Sequence, residues 1–204
     1  MTCTRLELLD WRRRVADLYA TVRERYRQDP VAAHEHWRTG RDELLASHPC
    51  SPLPAGRRAS FTGLPVAPYD PEWAFSAPVD TEVAPERFEV TTSTGRLMAY
   101  ERVGIVDLPV GRLEVLWLED YAGGIFLPFR DATAGQTTYG GGRYLLDTPK
   151  SADLGTDGDG RLVLDFNFAY HPSCFYDPAW NCPLAPPGNR LEVAIDAGER
   201  SHDA

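Results

Sequence analysis

The chain has 204 residues and a net charge of −9, and 43% of it is hydrophobic. That size and apolar content suit a single domain that buries its own core without disulfide staples. The acidic balance excludes a protein that wraps nucleic acid and speaks against docking on anionic membranes, because both need a basic face.

Residues 4–28 read as an amphipathic helix: Leu8, Trp11, Val15, Leu18 and Val22 recur at three- and four-residue spacing, with the arginines mostly facing away. Asp29 and Pro30 suit the cap and first turn of a second helix, which runs to about Ser47 and is stopped by Pro49, Pro52 and Pro54. His34 and His36 fall on that helix and are expected at its surface. Beyond Pro54 the pattern turns extended. Segments 72–78, 86–92, 97–107, 113–120, 124–130, 142–146, 161–170 and 190–196 are short, rich in β-branched and aromatic residues, and punctuated by Gly, Pro and Asp. LEVLWLED at 113–120 is apolar on both faces, as a central strand would be. Asp157-Gly158-Asp159-Gly160 lacks the closing ligands of a calcium loop and reads as a hairpin turn.

Costly residue types concentrate between 161 and 190. If 161–170 is a strand, Leu162, Leu164, Phe166, Phe168 and Tyr170 share the core face, while Asp165 and Asn167 lie opposite. Asp and Asn are poor strand formers, so the pair serves either a pocket or a neighbouring loop's amides. A second candidate is 126–145, where Asp131, Tyr139 and Arg143 surround Gly140, Gly141 and Gly142. Backbone amides there would cradle an anion with Arg143 as a bidentate partner, or the segment is a hairpin turn held by an Asp131–Arg143 ion pair. The third is His171, Cys174 and Cys182, on a proline-braced loop. These are zinc-type ligands at a non-standard spacing; a local disulfide and free buried thiols are the other readings. Cys3 and Cys50 read as ordinary thiols. Lys150, the single lysine, sits in a loop-like segment and is set aside as a Schiff-base or P-loop residue.

The start MTCTRLELLDWRRR lacks the apolar centre of a signal peptide, and no apolar run of about eighteen residues occurs. A cytoplasmic protein with reduced thiols is therefore expected.

Phe129–Asp131, TTYGGGRYL (137–145), DFNFAYHP (165–172), Cys174, Cys182-Pro183-Leu184, Pro187, Asn189-Arg190-Leu191 and IDAGE (195–199) together resemble the bacterial family of domain of unknown function 1684. Ser51-Pro52-Leu53 and Phe61-Thr62-Gly63-Leu64 fit the same pattern, and the resemblance spans about residues 10–200. Where this chain has His171 the family more often has asparagine, which weighs against a zinc ligand there. The resemblance implies kinship and carries no activity with it.

The resulting expectation is an α+β domain, with two N-terminal helices (residues 1–48) packed on an antiparallel β barrel or strongly curved β sandwich (residues 60–200). A small anionic molecule would bind in a polar pocket. Asp131, Asp165 and Tyr139 would be its acid, base and hydrogen-bonding groups, and Arg143, Asn167, Tyr170, Asn189 and Arg190 its binding groups. The competing expectations are zinc-dependent hydrolysis through His171, Cys174 and Cys182, and a non-catalytic scaffold.

Overall fold

A computed structural model describes residues 3–119 and 123–201. Helix α1 (Arg5–Tyr26) starts with a reciprocal cap: the Glu7 amide donates to Thr4 Oγ1 at 3.2 Å, and the Thr4 amide to Glu7 Oε2 at 2.7 Å. Helix α2 (Pro30–Ser47) starts at Asp29, whose carboxylate accepts from the Ala32 amide at 3.0 Å. The two pack on each other through Leu18, Tyr19 and Val22 of α1 and Ala33, Trp37 and Leu44 of α2. The same cluster takes in Phe168, Val163 and Leu154, which fastens the helices to the β region.

Two expectations for this region are corrected. His34 is buried, stacked on Trp37 with its Nε2 3.1 Å from the Asn167 carbonyl. Burial lowers its pKa. Cys3 and Cys50 form a disulfide across 47 positions. The packing of α1 on α2 brings the start of one beside the end of the other, where His48 Nε2 also meets Asp10 at 3.1 Å. Reducing this bridge should lower stability by about 4 kcal/mol, because a closed loop of that length restricts the unfolded chain. Thermal unfolding with and without reductant measures it, and an unchanged midpoint would argue against the constraint.

After the single turn of α3 (Ala55–Arg58), the described residues form seven strands: β1 (Ala74–Ala77), β2 (Glu86–Thr91), β3 (Leu97–Leu108), β4 (Gly111–Leu118), β5 (Gly124–Phe129), β6 (Arg143–Asp147) and β7 (Leu162–Asp165). β2 to β6 make one antiparallel sheet in sequential order, and β1 pairs with β7 in a separate two-stranded sheet. No closed barrel is found among the described residues: β2 and β6 are the edges of an open sheet. β4 is central, as its apolar run implies, and Leu113, Val115 and Leu116 are buried. Trp117 is 40% exposed, so its outer face is only partly covered.

The strand expected at 161–170 is short. It ends at Asp165, and Phe166–Phe168 forms a 3-10 turn whose Asn167 amide is capped by the Asp165 carboxylate. The alternation therefore fails from Phe166 onward, and Asn167 is as buried as its aromatic neighbours. Segment 190–196 is no sheet strand either. It makes one parallel bridge, Arg190 to Arg130; the Val193 carbonyl then accepts from the Ala132 amide at 3.0 Å, and the Ile195 backbone groups bond to the Arg143 and Asp131 side chains. The tri-glycine segment is a turn: the Gly142 amide donates to the Tyr139 carbonyl at 2.9 Å, and φ at Gly142 is +93°. A Cβ there would lie 2.4 Å from the Phe129 carbonyl oxygen, so only glycine fits.

Candidate functional site

Most of the polar residues singled out by sequence are bonded to the chain itself. Arg143 is buried and bridges three carbonyls of the final segment: Ala197, Ile195 at 3.0 Å and Glu199 at 3.3 Å. Its Nη2 also meets Asp131 at 3.3 Å, and Asp131 in turn accepts from the Ile195 amide at 2.7 Å and from the Thr133 hydroxyl at 2.8 Å. Burial works against the Arg143 charge, and Asp131 opposes that effect. The pair holds a loop, one of the two readings open from sequence.

Asp165 and Asn167 form a second, separate anchor. One carboxylate oxygen of Asp165 accepts from Tyr26 and Tyr69 at 2.9 and 3.2 Å; the other accepts from the Asn167 amide and side chain at 2.9 and 2.7 Å. Burial raises the Asp165 pKa against these bonds, and burial beside Asp165 pushes Tyr69 up to about 12. Asn167 completes a backbone-like pair with Asp70, accepting from its amide at 2.9 Å and donating to its carbonyl at 2.8 Å. Asn189 does the same with Glu114, at 2.8 and 3.0 Å, and reaches the Pro128 carbonyl at 2.8 Å. Arg190 is exposed and pairs with Glu192. The expected meeting of Asp131, Tyr139 and Arg143 with Asp165 and Asn167 in one pocket does not occur. Each group lies in its own anchor because each satisfies a different stretch of irregular backbone.

A third polar centre was not anticipated. Glu199 is wholly buried and accepts from Arg41 Nη2 at 2.8 Å, the His171 amide at 3.0 Å, His171 Nδ1 at 3.1 Å and the Tyr176 hydroxyl. Burial alone would raise its carboxyl, but His171, Arg41 and Tyr176 hold it at about 2. His171 Nε2 accepts from the Tyr139 amide at 3.1 Å, so both ring nitrogens are engaged. Cys174 and Cys182 are buried free thiols, and the Cys174 amide donates to Cys182 Sγ at 3.2 Å. Among the described residues no three His, Cys, Asp or Glu side chains gather as a metal site would require. The three proposed zinc ligands thus do not converge.

Beside this centre a cleft of about 290 Å³ separates the helical pair from the 170–182 segment. Leu8, Trp11 and Val15 of the α1 stripe, left half-buried by α2, form its apolar wall. The opposite side carries Tyr144, Tyr170 and Cys182, and three cations, Arg12, Arg41 and Lys150, complete it. Arg41 lies 4.6 Å from the Tyr170 ring and 5.0 Å from that of Trp37. Lys150 pairs with Asp147 at 2.7 Å. In each ion pair the carboxylate is the hidden partner: side-chain exposure is 58% for Lys150 against 2% for Asp147, and 14% for Arg41 against 0% for Glu199. Of the residues named from sequence as ligand-binding, only Tyr170 reaches the cleft. Lys150 was passed over because it follows a proline. Arg41 had one usable signal, its i,i+4 spacing from Trp37, which places both on one helix face.

A family model described as a protein of unknown function (DUF1684) matches residues 59–200. The solution NMR structure of an uncharacterized protein from Haloarcula marismortui is similar, with 36% identity and a TM-score of 0.56, over 80% of this chain and 90% of that one. A search of curated proteins finds no match. With well over half its length matched by the family model, this chain belongs to the DUF1684 family.

Proposed function

We propose that the protein binds a small amphipathic anion, with an apolar body and a carboxylate or phosphate end, in the cleft between the helical pair and the 170–182 segment. The observation that carries this reading is the arrangement of charge. Lys150 and Arg41 stand at the cleft wall, while their carboxylates are buried behind them. The cleft therefore presents N–H donors to an incoming acceptor in an otherwise apolar and aromatic cavity, the usual make-up of a small-molecule site. Leu8, Trp11 and Val15 would cover the apolar body.

Calorimetry with decanoate and with decylamine tests the reading. Decanoate should bind and decylamine should not. Lys150→Gln should weaken decanoate binding by about tenfold, the worth of roughly one charge-assisted hydrogen bond. Val15→Trp should fill the cleft and abolish binding. Equal affinity for both head groups, or none for either, would end this proposal.

The cytoplasmic setting expected from the sequence would keep Cys3 and Cys50 reduced, whereas their bridge suits an oxidising compartment. The state of that pair in protein alkylated at cell lysis separates the two settings. No helix of the described residues is long and apolar enough to cross a membrane.

A further inference from the structure

We infer that Cys174 and Cys182 are a redox-active dithiol, which reacts with small disulfides entering the cleft and closes to a local disulfide. Four observations place the two thiols for this reaction. They are the free cysteines of the described chain, and both are buried. The Cys174 amide points at Cys182 Sγ from 3.2 Å, as a backbone donor does where a thiolate is to be stabilised. Cys182 lines the cleft, so a reagent reaches its sulfur first; Cys174 lies behind it, with its sulfur 3.8 Å from the Tyr139 hydroxyl. Finally, the backbone on both sides is fixed. The Cys182 amide donates to Ser93 Oγ at 3.0 Å and its carbonyl accepts from the Ser93 amide at 2.9 Å, while Cys174 sits in the short helix α4 (Ser173–Tyr176). The sulfurs are held together by the fold rather than by chance rotation of two loops.

The pair loses its first proton as a unit. The neighbouring Cys182 brings the Cys174 thiol down to about 6, and the proton left on the pair makes the second ionisation hard. Shifting this proton along the S–S contact gives Cys182 the negative charge. The Cys182 thiolate attacks one sulfur of R–S–S–R; a mixed disulfide forms and one thiolate R–S⁻ leaves and takes up a proton. Cys174 then gives up its proton and attacks the Cys182 sulfur, expelling the second R–S⁻. The sum is two protein thiols oxidised to one disulfide and one small disulfide reduced to two thiols. Nothing in the scheme requires an anion to bind in the cleft; it requires only that the cleft admit the reagent.

The test uses the intact protein and 2-hydroxyethyl disulfide, followed by acid quenching, alkylation and peptide mapping. The expected product is a Cys174–Cys182 crosslink without retained reagent, formed with a rate whose pH profile inflects well below the ordinary thiol range. Cys174→Ser should stop at a stable mixed disulfide on Cys182. If that variant fails to fold, the wild-type map still decides the matter. The inference falls if both thiols stay alkylatable in folded protein under conditions that oxidise them in urea, or if only Cys174 carries the reagent. Decanoate binding to reduced protein is measured independently, so failure of one reading is distinguishable from failure of the other.

Discussion

Arg143→Ala should destabilise the protein by about 3–5 kcal/mol, the usual loss when one partner of a buried ion pair is removed. The substitution strips Asp131 of its cation and leaves the carbonyls of Ile195, Ala197 and Glu199 without their shared donor. Each is then a buried acceptor without a partner. Urea unfolding gives the number. Adding Asp131→Asn should recover part of the loss, since the stranded carboxylate goes with it. A loss below about 1 kcal/mol in the single variant would mean that water reaches the segment and replaces the guanidinium. The decanoate affinity of whatever fraction folds should be unchanged, because Arg143 does not line the cleft.

Glu199→Gln should have the second largest effect, about 3 kcal/mol near neutral pH, and should alter how stability responds to acid. The Glu199 carboxyl is held at about 2 against an ordinary value of 4.5. The folded state thus binds this proton more weakly than the unfolded state does. Its stabilisation is fully present above about pH 4.5 and drains away as pH falls through about 2, a span worth about 3 kcal/mol. Asp165 acts in the opposite sense: burial raises its carboxyl, so its contribution is present at low pH and fades as pH rises through the folded value. In Glu199→Gln the decline between pH 4.5 and 2 should therefore flatten, which chemical denaturation at a series of pH values would show. Wild-type and variant curves running parallel through that window would rule out the ionised Glu199 centre.

The helices were legible because their apolar stripe and the Asp29-Pro30 start are local signals. The sheet was legible strand by strand, because β-rich runs between turn residues need no knowledge of partners. Closure was not legible: whether β2 and β6 meet depends on twist and on what packs against them. Segment 190–196 alternates like a strand, yet after a short backbone pairing with residues 130–132 its Ile195 groups bond to the Arg143 and Asp131 side chains instead of continuing a ladder. The same substitution of side chain for backbone explains the misplaced pocket. Asp131, Arg143, Asp165, Asn167 and Asn189 are costly polar residues in apolar surroundings, and in a sequence that is also how a binding site looks. What distinguishes the two is whether the partners come from the chain or from a ligand, and here they lie up to 139 positions away. The cleft drew on ordinary material: half of an amphipathic stripe, an arginine among many, and a lone lysine.

Arg41 and Glu199 are 158 positions apart, and Glu199 joins α2 to the His171 and Tyr176 segment. On a ribosome the helical pair emerges before the β region, and the acid that neutralises its half-buried arginine is translated 158 positions later. Native packing around Arg41 must wait for that segment. Contacts of such long range also slow folding after release. A nascent chain stalled ahead of residue 195 would hold Arg41 without its carboxylate, and the Arg143–Asp131 pair without the backbone groups it binds, a state that chaperones would meet before the finished protein exists.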